Sequence, residues 1–573
     1  MAPGSPTFLR LLAPALFAVA AGCVKSEGTG VDTGTAGSTG GPSSTAGTGG
    51  ATSGAGTNGA AGKGGGTSSA GTGGDTTGTG GGAATGGSAQ GRGGATGNGG
   101  AAGAAAGIAG GSAGAAGSGG AAGTTGAGGS TPPGSLTLSG LKIDPNPRMS
   151  LSCYVSWTTS AAASSEVQFG VGGYQLRVVD SSQVTSHKVH VVGMHAETAY
   201  QIKAISTNAT ATGSATGTFT TGKLPTGTPK ATVLTNARDK VQPGWTLTNA
   251  FLGGTMPAII VMVDADGLPV WYFVHGKSAD QFGMTSVEWL PDGHVLIGNA
   301  SAEPAREIDL EANVVWEGPT GGTPAASHHT GKTSAGNYLM VRESNTTARV
   351  EELNPSNQIV WTWDLYTTLK PKTTAADWCH LNSVTVDVAK NLLYFNCRYQ
   401  GLFKVNRADK SILWQMGAAI DDSQTGDITY LPSNAARFND SHDPEIHDDG
   451  TILFYDNQGW TGHTGGQMNG SLHTQVVEYM VDDAKKQATL TWQFPGTFAG
   501  VDTWYKQSWS TPIWGDANRL ANGNVLVTAG NKSGTTRHFE VTRAGEVVWA
   551  IDWTNVGSYR GVRVSPAPAT PVP

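Results

Sequence analysis

The chain has 573 residues, 86 of them glycine, with 38% hydrophobic and only 13% charged residues and a formal net charge of −7. That length exceeds one domain, and that glycine content excludes a chain that is globular throughout. The weak negative balance offers no basic field, which argues against nucleic acid or an anionic surface as a partner and leaves any anion site to a local cluster.

Residues 1–22 read as an export signal. Arg10 precedes the apolar run Leu11–Ala20, which is too short to span a bilayer as a helix. Ala21-Gly22-Cys23 resembles a bacterial lipobox, with Ala20 where leucine is usual. The resemblance implies a lipidated Cys23 and a membrane anchored through that lipid. Val24 in place of aspartate reads as an outer-membrane address, so the expectation is a cell-envelope lipoprotein, periplasmic or surface-exposed. An ordinary cleaved secretory signal is the other reading. Residues 23–134 are glycine, alanine, threonine and serine with a handful of charges; they cannot bury enough apolar surface to order themselves and are expected to be a disordered tether. A flexible coil of roughly 105 residues spans about 55–60 Å.

Residues 135–222 read as a small all-β domain. Cys153-Tyr154-Val155-Ser156-Trp157 alternates as a strand, as do Glu166–Gly170 and Thr198–Ala204. These segments resemble a fibronectin type III sandwich with Trp157 in the core and Tyr200 at the tyrosine corner, a module that is more often a spacer than a catalyst.

From residue 228 to 564 a short apolar run ending in tryptophan recurs six times, at Trp271, Trp316, Trp361, Trp414, Trp492 and Trp549, with spacings of 45, 45, 53, 78 and 57 residues. One four-stranded blade has this size, so an all-β fold with a six-bladed β-propeller is expected. Turns such as Asp448-Asp449-Gly450, Pro291-Asp292-Gly293 and Asn522-Gly523-Asn524 mark the first hairpin of a blade. The first strand should lie innermost, so its opening residue stands at a mouth of the channel. Counting back from the turns puts Thr285, His328, His442 and Gly515 at equivalent openings. Constant index sums place His380 opposite Arg398, His442 opposite Asp456, and Arg342 opposite His328 or His329. Residues 565–573 form a proline-rich tail.

Three segments together carry a family resemblance. His380-Leu381-Asn382-Ser383 leads to Asn396-Cys397-Arg398-Tyr399-Gln400. Ser441-His442-Asp443-Pro444 runs on to Asp456-Asn457, and His328-His329 precedes Gly336-Asn337-Tyr338-Leu339. With Tyr559-Arg560-Gly561-Val562-Arg563 at the C-terminal end, this ordered set resembles the bacterial arylsulfate sulfotransferases over roughly Thr228 to Val564. The resemblance implies transfer of a sulfuryl group from a small-molecule aryl sulfate to a phenolic acceptor, without a nucleotide sulfate donor, cofactor or metal. His442 would carry the group, His380 and Arg398 would hold the sulfonate oxygens, and His328 or His329 would complete the pocket. Asn382 and Arg560 would bind substrate. The chain departs from the family at Tyr399, often histidine, and at Thr330, often aspartate.

Residue chemistry points the same way. Sulfuryl transfer, like phosphoryl transfer, runs through a loose transition state in which positioning and charge outweigh a strong base. A neutral imidazole can take the group covalently, an arginine fork suits an oxyanion, and Asp456 opposite His442 could fix its tautomer. Each residue also has a blander reading: a histidine at a blade start can cap a turn, and a lone arginine can be a surface ion pair. Glu445 and His447 lie along one strand from His442 and face the other side. Two other functions stay open. In a metal-dependent propeller lyase or hydrolase, His328 or His329, His380 and His442 would ligate one ion, against which Arg398 argues; the alternative is a non-catalytic surface-displayed binding protein. Because all these residues lie at or beyond His328, the chain up to Gly222 is expected to be dispensable for chemistry. Cys153, Cys379 and Cys397 are an odd set, and a Cys379–Cys397 pairing across one hairpin stays open.

Overall fold

The computed structural model describes residues 135–573 except 251–256, 278–285, 299–302, 321–325, 345–346, 370–377, 418–427, 434–437, 439, 459–472, 497–504, 506–510 and 533. The expected signal 1–22, the tether 23–134 with Cys23, and the opening at Thr285 lie outside the described residues. Among the described residues, no helix is long and apolar enough to cross a membrane.

The first domain has strands Leu138–Pro145, Cys153–Gly170, Leu176–Val191, Ala199–Thr207 and Thr212–Thr220. The long strand Cys153–Gly170 changes partners along its length. Its start pairs with Leu138–Pro145 and the end of Leu176–Val191, whereas its end pairs with the start of Leu176–Val191 and with Ala199–Thr207. Alternate residues Val155, Trp157, Val167, Phe169, Tyr200 and Ile202 are buried, as the period-two pattern requires. The Tyr200 hydroxyl accepts from the His195 amide at 2.7 Å.

Six sheets follow. Blade 1 holds Val287–Trp289, Val295–Ile297, Arg306–Ile308 and Val314–Glu317; blade 2 holds Ala326–Lys332, Tyr338–Ser344, Thr347–Leu353 and Ile359–Asp364; blade 3 holds Leu381–Asp387, Leu392–Cys397, Gly401–Asn406 and Ile412–Met416. Blade 4 is Ser441–Ile446, Thr451–Asp456, Gln475–Asp482 and Gln487–Phe494, edged by Thr429–Leu431 in parallel. Blade 5 is Asp516–Arg519, Val525–Lys532, Thr535–Val541 and Val547–Thr554, and takes Ala231–Asn236 as a fifth strand. Blade 6 closes the ring with the C-terminal Gly561–Val564 innermost against Trp245–Ala250, Pro257–Val263 and Pro269–Lys277. Inner strands of neighbouring blades touch between blades 2 and 3, 3 and 4, 4 and 5, and 6 and 1; at the other two boundaries the second strand of one blade meets the inner strand of the next.

The repeated tryptophan has a physical reason. From the outer strand of one blade its indole N–H reaches the last turn of the next: Trp271 to the Leu310 carbonyl at 2.9 Å, Trp316 to Asn357 Oδ1 at 3.0 Å, Trp414 to Asp483 Oδ1 at 2.7 Å, Trp492 to the Arg543 carbonyl at 2.9 Å and Trp549 to the Ala265 carbonyl at 2.9 Å. In the sixth case the Arg407 guanidinium lies 5.3 Å from the Trp361 ring. A large apolar body with one polar handle joins blades and satisfies a turn at once.

The small domain is docked on blades 6 and 1. One apolar cluster contains Met149, Leu151, Val192 and Met194 together with Trp245, Trp271 and Ala569. Asn146 Nδ2 donates to the Glu311 carbonyl at 3.1 Å, the Ser150 amide to Tyr272 Oη at 3.0 Å, and His195 meets Asp264 at 2.8 Å. The tail 565–573 is not loose: Thr570–Pro571 pairs with Leu176–Arg177 of this domain.

Candidate functional site

Blade 4 opens with Ser441 opposite Asp456 and His442 opposite Tyr455, and the register then slips by one, so that Glu445 faces Leu453. Pro444 has no N–H for the ladder and Asp443 sits at φ 41°, so the strand bulges there. This corrects the expected pairing of His442 with Asp456. Asp456 Oδ2 accepts from Gln458 at 2.7 Å and Gln475 at 2.8 Å. The residue that orients His442 is Asn457, whose Oδ1 lies 2.7 Å from Nδ1. Asn457 Nδ2 donates to the Thr511 carbonyl at 2.5 Å and the Trp514 carbonyl at 2.9 Å, which identifies its other atom as the acceptor. The proton of His442 is therefore on Nδ1, and Nε2 keeps its lone pair. Burial holds His442 well below the usual histidine range, with Arg398 the next cause. The 511–515 segment that supplies these carbonyls has Trp514 at φ 62° and Gly515 at φ 123°, and a Cβ on Gly515 would stand 2.1 Å from the Tyr455 ring. Only glycine fits there.

His380 and Arg398 face each other as expected: the Arg398 amide donates to the His380 carbonyl at 3.0 Å. Beside them Cys379 and Cys397 form a disulfide, which answers the open cysteine question, while Cys153 is free and buried. His328 Nε2 lies 3.2 Å from His380 Nε2. Both histidines have left-handed backbones, φ 58° and 52°, the kind of local strain that clusters at working sites. Tyr559 stands between the groups, its ring centroid 6.0 Å from His442 and 6.3 Å from His328. Burial pushes its phenol up to about 12, so it stays protonated. The Arg398 fork is engaged by protein: its Nε and Nη2 pair with the two carboxylate oxygens of Asp440, and Nη2 also donates to the Pro512 carbonyl at 2.7 Å.

Several expected roles move. Ala326, rather than His328 or His329, faces Arg342 after an irregularity in the ladder, and Arg342 pairs with Glu351 at 2.6 Å. His329 Nδ1 accepts from the Val384 amide at 2.9 Å and its Nε2 meets Glu288 at 2.7 Å, so both its nitrogens are tied into blade packing and His328 is the one at the site. Asn382 is fully buried as a strut: Nδ2 donates to the Ser441 carbonyl at 2.9 Å and Oδ1 accepts from Asn396 at 2.8 Å. Arg560 is buried against Asp443 at 2.6 Å, with Glu288 at 3.9 Å. Asp516, on the neighbouring inner strand, is held well above the carboxylate range by burial and by Asp443. Glu445 accepts from the Arg519 amide at 2.7 Å, away from His442, as expected.

Among the described residues, the histidine and carboxylate group close enough to share a metal is Asp292, His294 and Glu307, not the three site histidines. The Lys332 ammonium is already in that group, 2.7 Å from Glu307 and 3.4 Å from Asp292. Asn457, Tyr559 and Asp440 are the site residues to which sequence reasoning assigned no role. Counting does not reach Asn457: the bulge at Asp443-Pro444 shifts the ladder partner of His442 from Asp456 to Tyr455, and Asn457 reaches Nδ1 from beyond the end of the paired strand.

No curated protein matches the chain. Solved structures resemble it at low identity. A Myceliophteria thermophila Cps50 (Swd1) β-propeller domain is 10% identical over 59% of this chain and 87% of its own, with a TM-score of 0.30. A quinoprotein alcohol dehydrogenase-like protein from Bacteroides thetaiotaomicron is 8% identical over 72% and 94%, with a TM-score of 0.28. Likeness at this level says nothing of chemistry. A family model described as Arylsulfotransferase (ASST) matches residues 230–560.

Proposed function

Because this chain belongs to the arylsulfotransferase family, with arylsulfate sulfotransferase activity as its general assignment, we propose that it transfers the sulfuryl group through a covalent sulfohistidine on His442. The observation that carries this reading is the His442 imidazole itself. It is buried and neutral, its Nδ1–H is held by Asn457, and its Nε2 lone pair has no hydrogen-bond partner among the described residues.

In the first half-reaction Nε2 attacks the sulfur of an aryl sulfate. An N–S bond forms, the S–O bond to the aryl oxygen breaks, and the phenolate leaves with a proton from the His328 and His380 pair. In the second half, the oxygen of a phenolic acceptor attacks the sulfur, the N–S bond breaks and the acceptor's proton returns to the pair. Charge on the transferring group develops beside Arg398, where a preorganised cation is worth most in a dry site. Tyr559 remains a phenol and offers an aromatic wall rather than a base. The metal-dependent reading finds no support in the spacing of the three histidines.

For the rest of the chain we propose a fibronectin type III-like sandwich, a disordered tether and a lipid anchor at Cys23 in the cell envelope. The strand partners of residues 138–220 support the first, and the composition and the Ala21-Gly22-Cys23 sequence support the others.

Mixing enzyme with an aryl sulfate and no acceptor tests the chemistry. Expected are a burst of about one equivalent of phenol, a protein heavier by one sulfuryl group and a label that maps to His442. His442→Ala should lose both burst and label. Label on another residue, or turnover in His442→Ala that vanishes with a chelator, would overturn the reading.

A further inference from the structure

Arg398 follows the second strand of blade 3 directly, and Asp440 leads into the first strand of blade 4, two residues before His442. Their side chains meet across the blade boundary as a two-point pair, with Asp440 Oδ2 at 3.0 Å from Nη2 and Oδ1 against Nε. Both side chains are buried, 6% and 0% exposed. The Pro512 carbonyl adds a third bond in the guanidinium plane, and the Tyr399 ring lies 5.3 Å from the guanidinium carbon. Asp440 also holds a left-handed backbone at φ 63°.

Stability does not account for this arrangement. Desolvating two charges costs much of what their attraction returns, so well-packed apolar residues often serve a buried position as well. A non-glycine residue in the left-handed region adds a further cost, and such strain persists where surroundings over-determine it. A planar fork held on one edge by a carboxylate and a carbonyl, by contrast, has its position and tilt set before any ligand arrives. We propose that Asp440 is the positioning residue of this site: it fixes the Arg398 guanidinium beside His442 and balances its charge until the sulfonate enters. The proposal rests on the sulfuryl-transfer reading. It concerns action through Arg398, not contact with substrate.

The test is a double-mutant cycle read on the burst, with nitrophenyl sulfate as donor. Asp440→Asn should lower the burst rate constant at least about tenfold, the order seen when a partner that orients a working group is lost. The burst amplitude should stay near one equivalent per protein, because the loss is misplacement rather than a misfolded fraction. In an Arg398→Ala background, where no buried guanidinium is left unpaired, the same Asp440→Asn change should alter the rate less than about twofold. Losses that multiply across the two positions, a reduced amplitude with a normal rate constant, or full rate in Asp440→Asn would each overturn the role while leaving the sulfuryl-transfer reading intact. A wild type that releases no phenol from the donor would overturn both.

Discussion

Replacing Asn457 with alanine isolates the claim that this side chain sets the nucleophile. The substitution removes three hydrogen bonds: the 2.7 Å bond from His442 Nδ1 and the two donated to the Thr511 and Trp514 carbonyls. A lost bond that leaves a buried group unsatisfied costs about 1–3 kcal/mol, so three bonds bound the loss of stability from above at roughly 9 kcal/mol; the Thr474 Oγ1 contact to the Thr511 carbonyl at 3.5 Å, relaxation and water entry bring it well below that. Catalysis loses more than the bond energy suggests. Without the acceptor the ring can place its proton on Nε2, which removes the lone pair from the sulfur, or rotate away from the line of attack. Loss of the group that sets a catalytic histidine's tautomer costs up to about 10⁴ in kcat, and weaker orienting partners cost about 10–100-fold, so a fall of at least about a hundredfold is expected in the burst rate constant. Rapid-mixing measurement of phenol release on folded variant, with thermal unfolding to establish the fold, is the assay. A folded Asn457→Ala that bursts within threefold of wild type would refute the orienting role and, with it, the assignment of the reactive nitrogen to Nε2.

Arg398→Lys should damage steady-state kcat/KM nearly as much as Arg398→Ala, by at least about tenfold, because one ammonium cannot make the planar contacts to both Asp440 oxygens and the Pro512 carbonyl; full activity in the lysine variant would reduce Arg398 to a diffuse charge. A chain starting near Leu224 keeps every site residue yet is expected to lose several kcal/mol and its C-terminal anchorage, since the small domain shares a core with Trp245 and Trp271 and pairs with Thr570–Pro571; a truncated protein with unchanged denaturant midpoint would show the domain to be a passenger. His538 is buried in blade 5 with its pKa pushed down to about 3 by burial, so between pH 6.5 and 3 the folded state binds fewer protons there than the unfolded state, and the stability present above pH 6.5 is lost as pH falls. The advantage of wild type over His538→Gln should therefore shrink by about 2–3 kcal/mol between pH 7 and 4.5; a difference independent of pH in denaturant titrations would contradict it.

Where the chain is regular, its sequence was a sufficient guide. The tryptophan recurrence marks blades because each indole joins one blade to the last turn of the next, so its spacing tracks blade length whatever the loops do. The hairpin turn at Asp448-Asp449-Gly450 has its glycine at φ 85°, and the strands on either side pair as the alternation required. The facing of His380 and Arg398 also came out of simple counting, and survives only because one irregularity at Asn382 offsets the slip from the turn.

The same counting failed at His442 and at His328, and for one reason. A side chain that is to leave the sheet and point across a channel must break the ladder that counting assumes. Asp443-Pro444 breaks it in blade 4, and the left-handed His328 stands within a break in blade 2. The slip moves the ladder partner of His442 from Asp456 to Tyr455, and Asn457, just past the end of the paired strand, is the residue that meets its Nδ1. The choice between His328 and His329 was likewise settled by partners far away in sequence, Glu288 and the Val384 amide, which no local pattern encodes. Asp440 lies beyond counting altogether, because its partner is on another blade and its backbone belongs to no strand. Regular pairing therefore locates the mouth of the channel, and the breaks in that pairing locate the candidate site: in a fold built from repeated hairpins, a proline or a left-handed histidine at the start of an inner strand is the place to look for a working side chain.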